Sequence, residues 1–185
     1  FSSMEPAKEV GGDFYDFFEI EGTTKVGFVM ADVSGKGIPA ALFMMISRAI
    51  IKNCAMMGKS AAQILEESNR AMCSENKMEM FVTVWIGILE ISTGKMNCSS
   101  AGHEYPALCH DGKYELFRDR HGLVLGGMDM ARYRDYEIVL EKGDKIFVYT
   151  DGVPEATAAD QEMFGTDRIL EVVNGLDTAS PAETL

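Results

Sequence analysis

Between Lys25 and Met57 the hydrophobic pattern changes period, and that change limits the fold more than any other stretch of the chain. Lys25 to Val33 alternates, with Val26, Phe28, Met30 and Asp32 on one face, which predicts a strand whose end carries a carboxylate. Ser34-Gly35-Lys36-Gly37 breaks the strand. From Ile38 onward, Leu42, Met45, Ile46, Ala49, Ile50 and Met57 recur at helical spacing and predict a long amphipathic helix. Upstream, Asp13 to Ile20 is rich in aromatic and β-forming residues and Glu21 to Thr24 is turn-like, so the first two strands form a hairpin.

Gly58 ends the first helix, and Ser60 with Gln63 forms a capping box for a second, whose apolar face continues through Ile64, Leu65, Ser68 and Met72. Strands are expected at Phe81 to Ile91, Met96 to Ser100, Tyr105 to Cys109, Tyr114 to Phe117, Tyr133 to Leu140 and Lys145 to Thr150, with turns at Asp111-Gly112 and Gly143-Asp144. A last helix runs near Asp167 to Asn174. Strands and helices are grouped, not alternated, which argues for an α+β fold. No repeat, linker or low-complexity segment interrupts it. Near the end, Ser180-Pro181-Ala182-Glu183 reads as the start of a further helix, so the 185 residues are expected to be a C-terminally truncated piece of a longer protein.

With 46% hydrophobic residues a chain of this length can bury a core. Its 29 acidic and 17 basic side chains give a formal charge of −12, which opposes binding to nucleic acid or to an anionic membrane surface. No uninterrupted apolar run approaches the ~18 residues of a bilayer span, and no signal peptide is recognisable. Cys54, Cys73, Cys98 and Cys109 lack C-x-x-C spacing, so reduced thiols and a cytoplasmic setting are expected. Met44, Met45, Met56, Met57 and Met72 fall in helical stretches, where methionine fills cores.

Three aspartates stand out by position: Asp13 after Gly11-Gly12, Asp32 at the end of its strand, and Asp151 after the run Ile146 to Thr150. A carboxylate at the tip of a buried strand is costly unless protonated, paired or bound to a cation. Basic partners are scarce: Lys8 and Lys36 lie near the first two, and none lies within five positions of Asp151. Turn or helix capping is the competing role for each aspartate. Oxygen donors alone would select Mg²⁺ or Mn²⁺ over Zn²⁺, and His103, His110 and His121 show no paired spacing. Gly35-Lys36-Gly37 follows a strand and opens a helix, as phosphate loops do, yet the full P-loop pattern is absent. Its glycines still allow close backbone approach to a metal or phosphate. No motif joins a serine to a histidine and an aspartate.

Four stretches, EVGGDFYD from Glu9 to Asp16, ADVSGKGIPAA from Ala31 to Ala41, AGHEYP from Ala101 to Pro106 and GDKIFVYTDGV from Gly143 to Val153, resemble in order the SpoIIE/RsbU group. That group is the bacterial branch of the metal-dependent type 2C (PPM) protein phosphatases. The resemblance implies an α-β-β-α sandwich, two packed sheets flanked by helix pairs, with two Mn²⁺ or Mg²⁺ ions. Carried over by motif, Asp32 would bridge both ions, Asp13 and the Val33 carbonyl would hold one, and Asp151 the other. Gly12 and Gly35 would shape the loops at the phosphate. It further implies hydrolysis of phosphoserine or phosphothreonine on a STAS-domain anti-anti-sigma factor, a partner-switching pathway, an N-terminal sensory domain elsewhere in the protein, room for a homodimer, and a regulatory role for the helix pair from Ile38 to Asn76. The departures are Ser34 where eukaryotic relatives carry a histidine, no clear counterpart of the phosphate-gripping arginine, for which Lys8 is a candidate and an ordinary surface lysine the competing reading, and a chain that stops before the C-terminal helix and the last strand with its aspartate. The metal site of the 185-residue piece is thus expected to be incomplete. A phosphatase-fold module that binds a partner without turnover is the alternative, and His103 is expected to order its loop by a hydrogen bond.

Overall fold

The structure is a computed structural model that describes residues 1–6, 9–76 and 79–176. The capping box expected at Ser180 to Glu183 lies outside them, as does Lys8. The chain divides into two compact units. The larger comprises Met4–His103 and Arg120–Val139. Among described residues, the smaller comprises residues 1–3, 104–119 and 140–176.

The larger unit contains β1 (Phe14–Glu19), β2 (Lys25–Val33), α1 (Ile38–Ala55), α2 (Ala61–Glu75), β3 (Val82–Glu90), β4 (Lys95–Ala101) and β7 (Tyr136–Val139). Its five strands form an antiparallel sheet in the order β1-β2-β3-β4-β7. The alternation in β2 sets its faces: Val29, Ala31 and Val33 are buried with Val82, Val84, Ile86 and Ile88 of β3, while Phe28, Met30 and Asp32 are half-buried on the opposite face. Phe43 and Ile51 of α1 and Ile64, Leu65 and Met72 of α2 complete this core. Each large apolar side chain buried there stabilises the unit by about 1.5–3 kcal/mol.

The capping box at α2 forms as expected. The Ser60 hydroxyl accepts from the Gln63 N–H, and the Ser60 N–H donates to Gln63 Oε1. The next two orphan donors of that helix find side chains from distant segments, Ala61 N–H at Asn97 Oδ1 (2.7 Å) and Ala62 N–H at Asp135 Oδ1 (2.9 Å). β7 starts at Tyr136 and not at Tyr133, and just before it the Arg134 carbonyl accepts from the Ser99 hydroxyl instead of a ladder N–H.

The face expected to bury α1 is corrected. Ala40, Phe43, Ser47, Ile51 and Ala55 are the buried row, whereas Ile38 (70% exposed), Leu42, Met45 (64%) and Ile46 lie open. Met56 and Met57 are exposed too, so of the methionines expected in the core only Met72 is buried, with Met44 partly so. By length and mean hydropathy (1.3) this 18-residue helix could cross a bilayer, but Arg48 and Lys52 interrupt it. Arg48 reaches Asp16 of β1 through two bonds, Nε to Oδ2 (3.0 Å) and Nη2 to Oδ1 (3.2 Å).

The smaller unit holds β5 (Ala107–His110), β6 (Lys113–Leu116), β8 (Lys145–Phe147) and α3 (Thr166–Gly175). The sheet order is β6-β5-β8, antiparallel throughout. Asp111 and Gly112 both adopt positive φ, the two-residue hairpin their Asp-Gly sequence predicts. Val173 of α3 packs with Ala107, Cys109 and Tyr114. Asn174 exchanges two bonds with the Tyr114 backbone, so its amide takes the place of a neighbouring strand. All four cysteines are free thiols, as expected.

Candidate active site

The β1–β2 ladder decides where the aspartates go. Its last pair is Phe14 with Ala31, and one further step sets Asp13 across from Asp32. The step after that is also held: a Cβ on Gly12 would stand 3.0 Å from the Val33 carbonyl oxygen and 3.2 Å from the Val33 Cβ. Bracketed on both sides, the two half-buried carboxylates leave the same face of the sheet. Directly opposed residues have Cβ atoms about 4.5–5.5 Å apart. On the next strand Thr83 faces Asp32, so Asp13, Asp32 and Thr83 form one row across three strands. Gly12 is buried between Val33 and Ala40 of α1, where a methyl group would meet both.

Ser34 and Gly35 serve the turn out of β2. The Ser34 N–H donates to the Phe81 carbonyl (2.9 Å), and the Ser34 hydroxyl accepts from the Phe81 N–H (3.0 Å). The hydroxyl therefore extends the β2–β3 pairing. Gly35 is exposed at φ 86°, and Gly37 at φ 79° caps α1 with no side-chain bond. His103, 2% exposed, brings its ring Nδ1 to 2.8 Å from Thr83 Oγ1, the ordering bond expected of it.

In the smaller unit, Asp151 opens an exposed turn, and β8 ends four residues earlier, at Phe147. The expectation of a carboxylate at a buried strand tip is corrected for this residue. The partner strand β5 begins at Ala107, paired with Phe147, and the residue before it is Pro106, which has no N–H to extend the ladder. Glu104 was not singled out in the sequence, although it stands in the AGHEYP stretch. Burial first, then the negative charges of Asp151 and Glu155, push its carboxyl above the usual range. Asp151 therefore lies in an acidic neighbourhood whose members come from separate parts of the chain.

Asp13, Asp32 and the Val33 carbonyl offer oxygen only, the donor set that hard divalent cations take. Among the described residues, no group of three or more His, Cys, Asp or Glu side chains could hold a metal ion. A cation on Asp13 and Asp32 would thus need the backbone carbonyl and water to complete its shell.

The family described as Stage II sporulation protein E (SpoIIE) matches residues 22–185. The chain belongs to this family. Among curated relatives, the SpoIIE domain is 34% identical over 152 residues to phosphoserine phosphatase RsbU of Bacillus subtilis (strain 168), covering 81% of the chain and 44% of RsbU. The chain thus spans less than half the length of that relative. Among solved structures, the SiaA-PP2C domain of Pseudomonas aeruginosa superposes with a TM-score of 0.82 at 24% identity, over 97% of this chain and 72% of that one. RsbX in complex with magnesium superposes with a TM-score of 0.69 at 20% identity, over 96% and 78%. The fold of the SpoIIE domain, mixed α/β with two antiparallel sheets and three helices among the described residues, is the type 2C phosphatase fold.

Proposed function

We propose that the protein carrying this SpoIIE domain is a metal-dependent protein phosphatase that hydrolyses phosphoserine or phosphothreonine on a STAS-domain protein of a partner-switching pathway. The observation that carries this reading is the place of Asp13 and Asp32 one step past the Phe14–Ala31 pair that ends the β1–β2 ladder, beside the Val33 carbonyl. The names of RsbU and of the magnesium complex of RsbX support it. A cytoplasmic setting, a sensory domain elsewhere in the protein and a homodimer belong to the same proposal.

When bound, hard divalent cations supply Lewis acidity at a phosphoryl group and acidify water. Asp13 and Asp32 would hold a cation with the Val33 carbonyl, and the family resemblance adds Asp151 as a ligand of a second ion. Gly12 keeps the approach to Val33 open, because it puts no atom where a Cβ would crowd the carbonyl. Ser34 holds the β2 turn against Phe81, so its hydroxyl is engaged in positioning the loop.

The test is phosphate release by the full-length protein from a phosphorylated STAS-domain protein under saturating Mn²⁺. Turnover that depends on Mn²⁺ and is lost in Asp32→Ala is expected. Wild-type turnover no greater than that of Asp32→Ala overturns the reading in favour of a silent binding module.

A further inference from the structure

The Ala101-Gly102-His103 triplet leaves β4 in a shape that its residue types explain. Ala101 is fully buried, and Gly102, at φ 70°, has Val124 Cγ1 3.2 Å from where a Cβ would stand. Gly102 also forms a parallel bridge with Val84. His103 follows with two anchors: its N–H donates to Ser100 Oγ (3.3 Å), and its Nδ1 stands 2.8 Å from Thr83 Oγ1. Thr83 is the residue that faces Asp32. The row of Asp13, Asp32 and Thr83 thus ends on a buried imidazole.

We propose that His103 is a positioning residue for Asp32, acting through Thr83. The inference rests on the metal-holding role given to Asp32 above. A threonine hydroxyl has one proton and two lone pairs. Were Nδ1 the acceptor, the ring would take that proton and only lone pairs would face the carboxylate. With Nδ1–H as donor, the ring occupies a lone pair and the hydroxyl proton turns to the facing Asp32, the charge-assisted direction. The ring is then the fixed end of a two-bond support that selects one orientation of the carboxylate before any cation arrives. Such outer partners of ligating carboxylates typically account for 10- to 100-fold in metal affinity or activity.

The experiment is Mn²⁺ calorimetry on the full-length protein without substrate, paired with steady-state kinetics, for Thr83→Val, Thr83→Ser, His103→Ala and His103→Asn. Circular dichroism confirms folding. Thr83→Val keeps the side-chain shape, so it reports even if His103→Ala fails to fold. Thr83→Val and His103→Ala are expected to weaken Mn²⁺ binding about 10- to 100-fold and to lower kcat more than they raise KM. Thr83→Ser and His103→Asn, whose amide donates where Nδ1–H did, are expected to recover most of the affinity. The double variant Thr83→Val/His103→Ala should be no weaker than either single one, since both cut the same support. Wild-type Mn²⁺ affinity in folded Thr83→Val overturns this inference alone. Absence of Mn²⁺ binding by the wild type overturns the phosphatase reading and this inference with it.

Discussion

At Gly12 a single missing atom shapes the site. A Cβ there would stand 3.0 Å from the Val33 oxygen and 3.3 Å from the Ala40 Cβ, and neither the strand backbone nor the first turn of α1 yields cheaply. Gly12→Ala is therefore expected to destabilise the fold by about 1–3 kcal/mol through overpacking and to weaken Mn²⁺ binding by displacing β1 from Val33. Thermal denaturation and calorimetry check this, and wild-type values in both would count against it. Asp13 and Asp32 were legible in the sequence because each adjoins a strand end recognisable from local pattern. Asp151 was legible as a residue, but its surroundings were not. The run Val148-Tyr149-Thr150 reads as strand by propensity, while the ladder stops where Pro106 withholds a donor on the neighbouring segment. Glu104 escaped notice for the same kind of reason: its carboxyl pKa is raised first by burial and then by Asp151 and Glu155, all of which depend on segments far along the chain.

At the scale of elements, α1 shows where periodicity misleads. The helix was correctly expected to start at Ile38, but its apolar residues nearly encircle it. The row Leu42, Met45, Ile46 and the row Ala40, Phe43, Ile51 are both plausible core faces by pattern. Packing selected the second, because it sets Phe43 and Ile51 among the buried residues of β2, β3 and α2 and leaves Arg48 within reach of Asp16. Phe43→Ala should therefore cost about 3–5 kcal/mol, whereas Leu42→Ala should stay within about 0.5 kcal/mol of wild type, as exposed sites usually do. Chemical denaturation of the two variants decides the matter; equal losses would return α1 to the face read from its periodicity. By contrast, the α2 capping box was readable residue by residue, since Ser60 and Gln63 satisfy one another within a single turn.

At the scale of the whole molecule, each unit brings its own core, and the smaller one carries a pH-sensitive link. His110 Nδ1 lies 3.0 Å from Asp144 Oδ1, joining the end of β5 to the turn before β8, and Asp144 Oδ2 accepts from the Glu141 N–H. The hydrogen bond and then the charge of Asp144 raise the His110 pKa above its ordinary value of 6.5. A group whose pKa is raised on folding stabilises fully below the unfolded value, and that contribution is lost as pH rises through the folded value. The stability advantage of the wild type over His110→Gln should accordingly shrink as pH is raised from about 5 to about 8. Melting temperatures across that range test it, and a constant difference would refute the link. The α+β class, the order of elements, the hairpins and the carboxylates suited to a cation followed from the sequence by itself, because they depend on periods, turns and caps spanning a few residues. Only the tertiary structure decided which face α1 buries, where β8 stops, and that Asp13, Asp32, Thr83 and His103 share one row. Strand register and helix packing join residues tens of positions apart, and no local pattern encodes which of them meet.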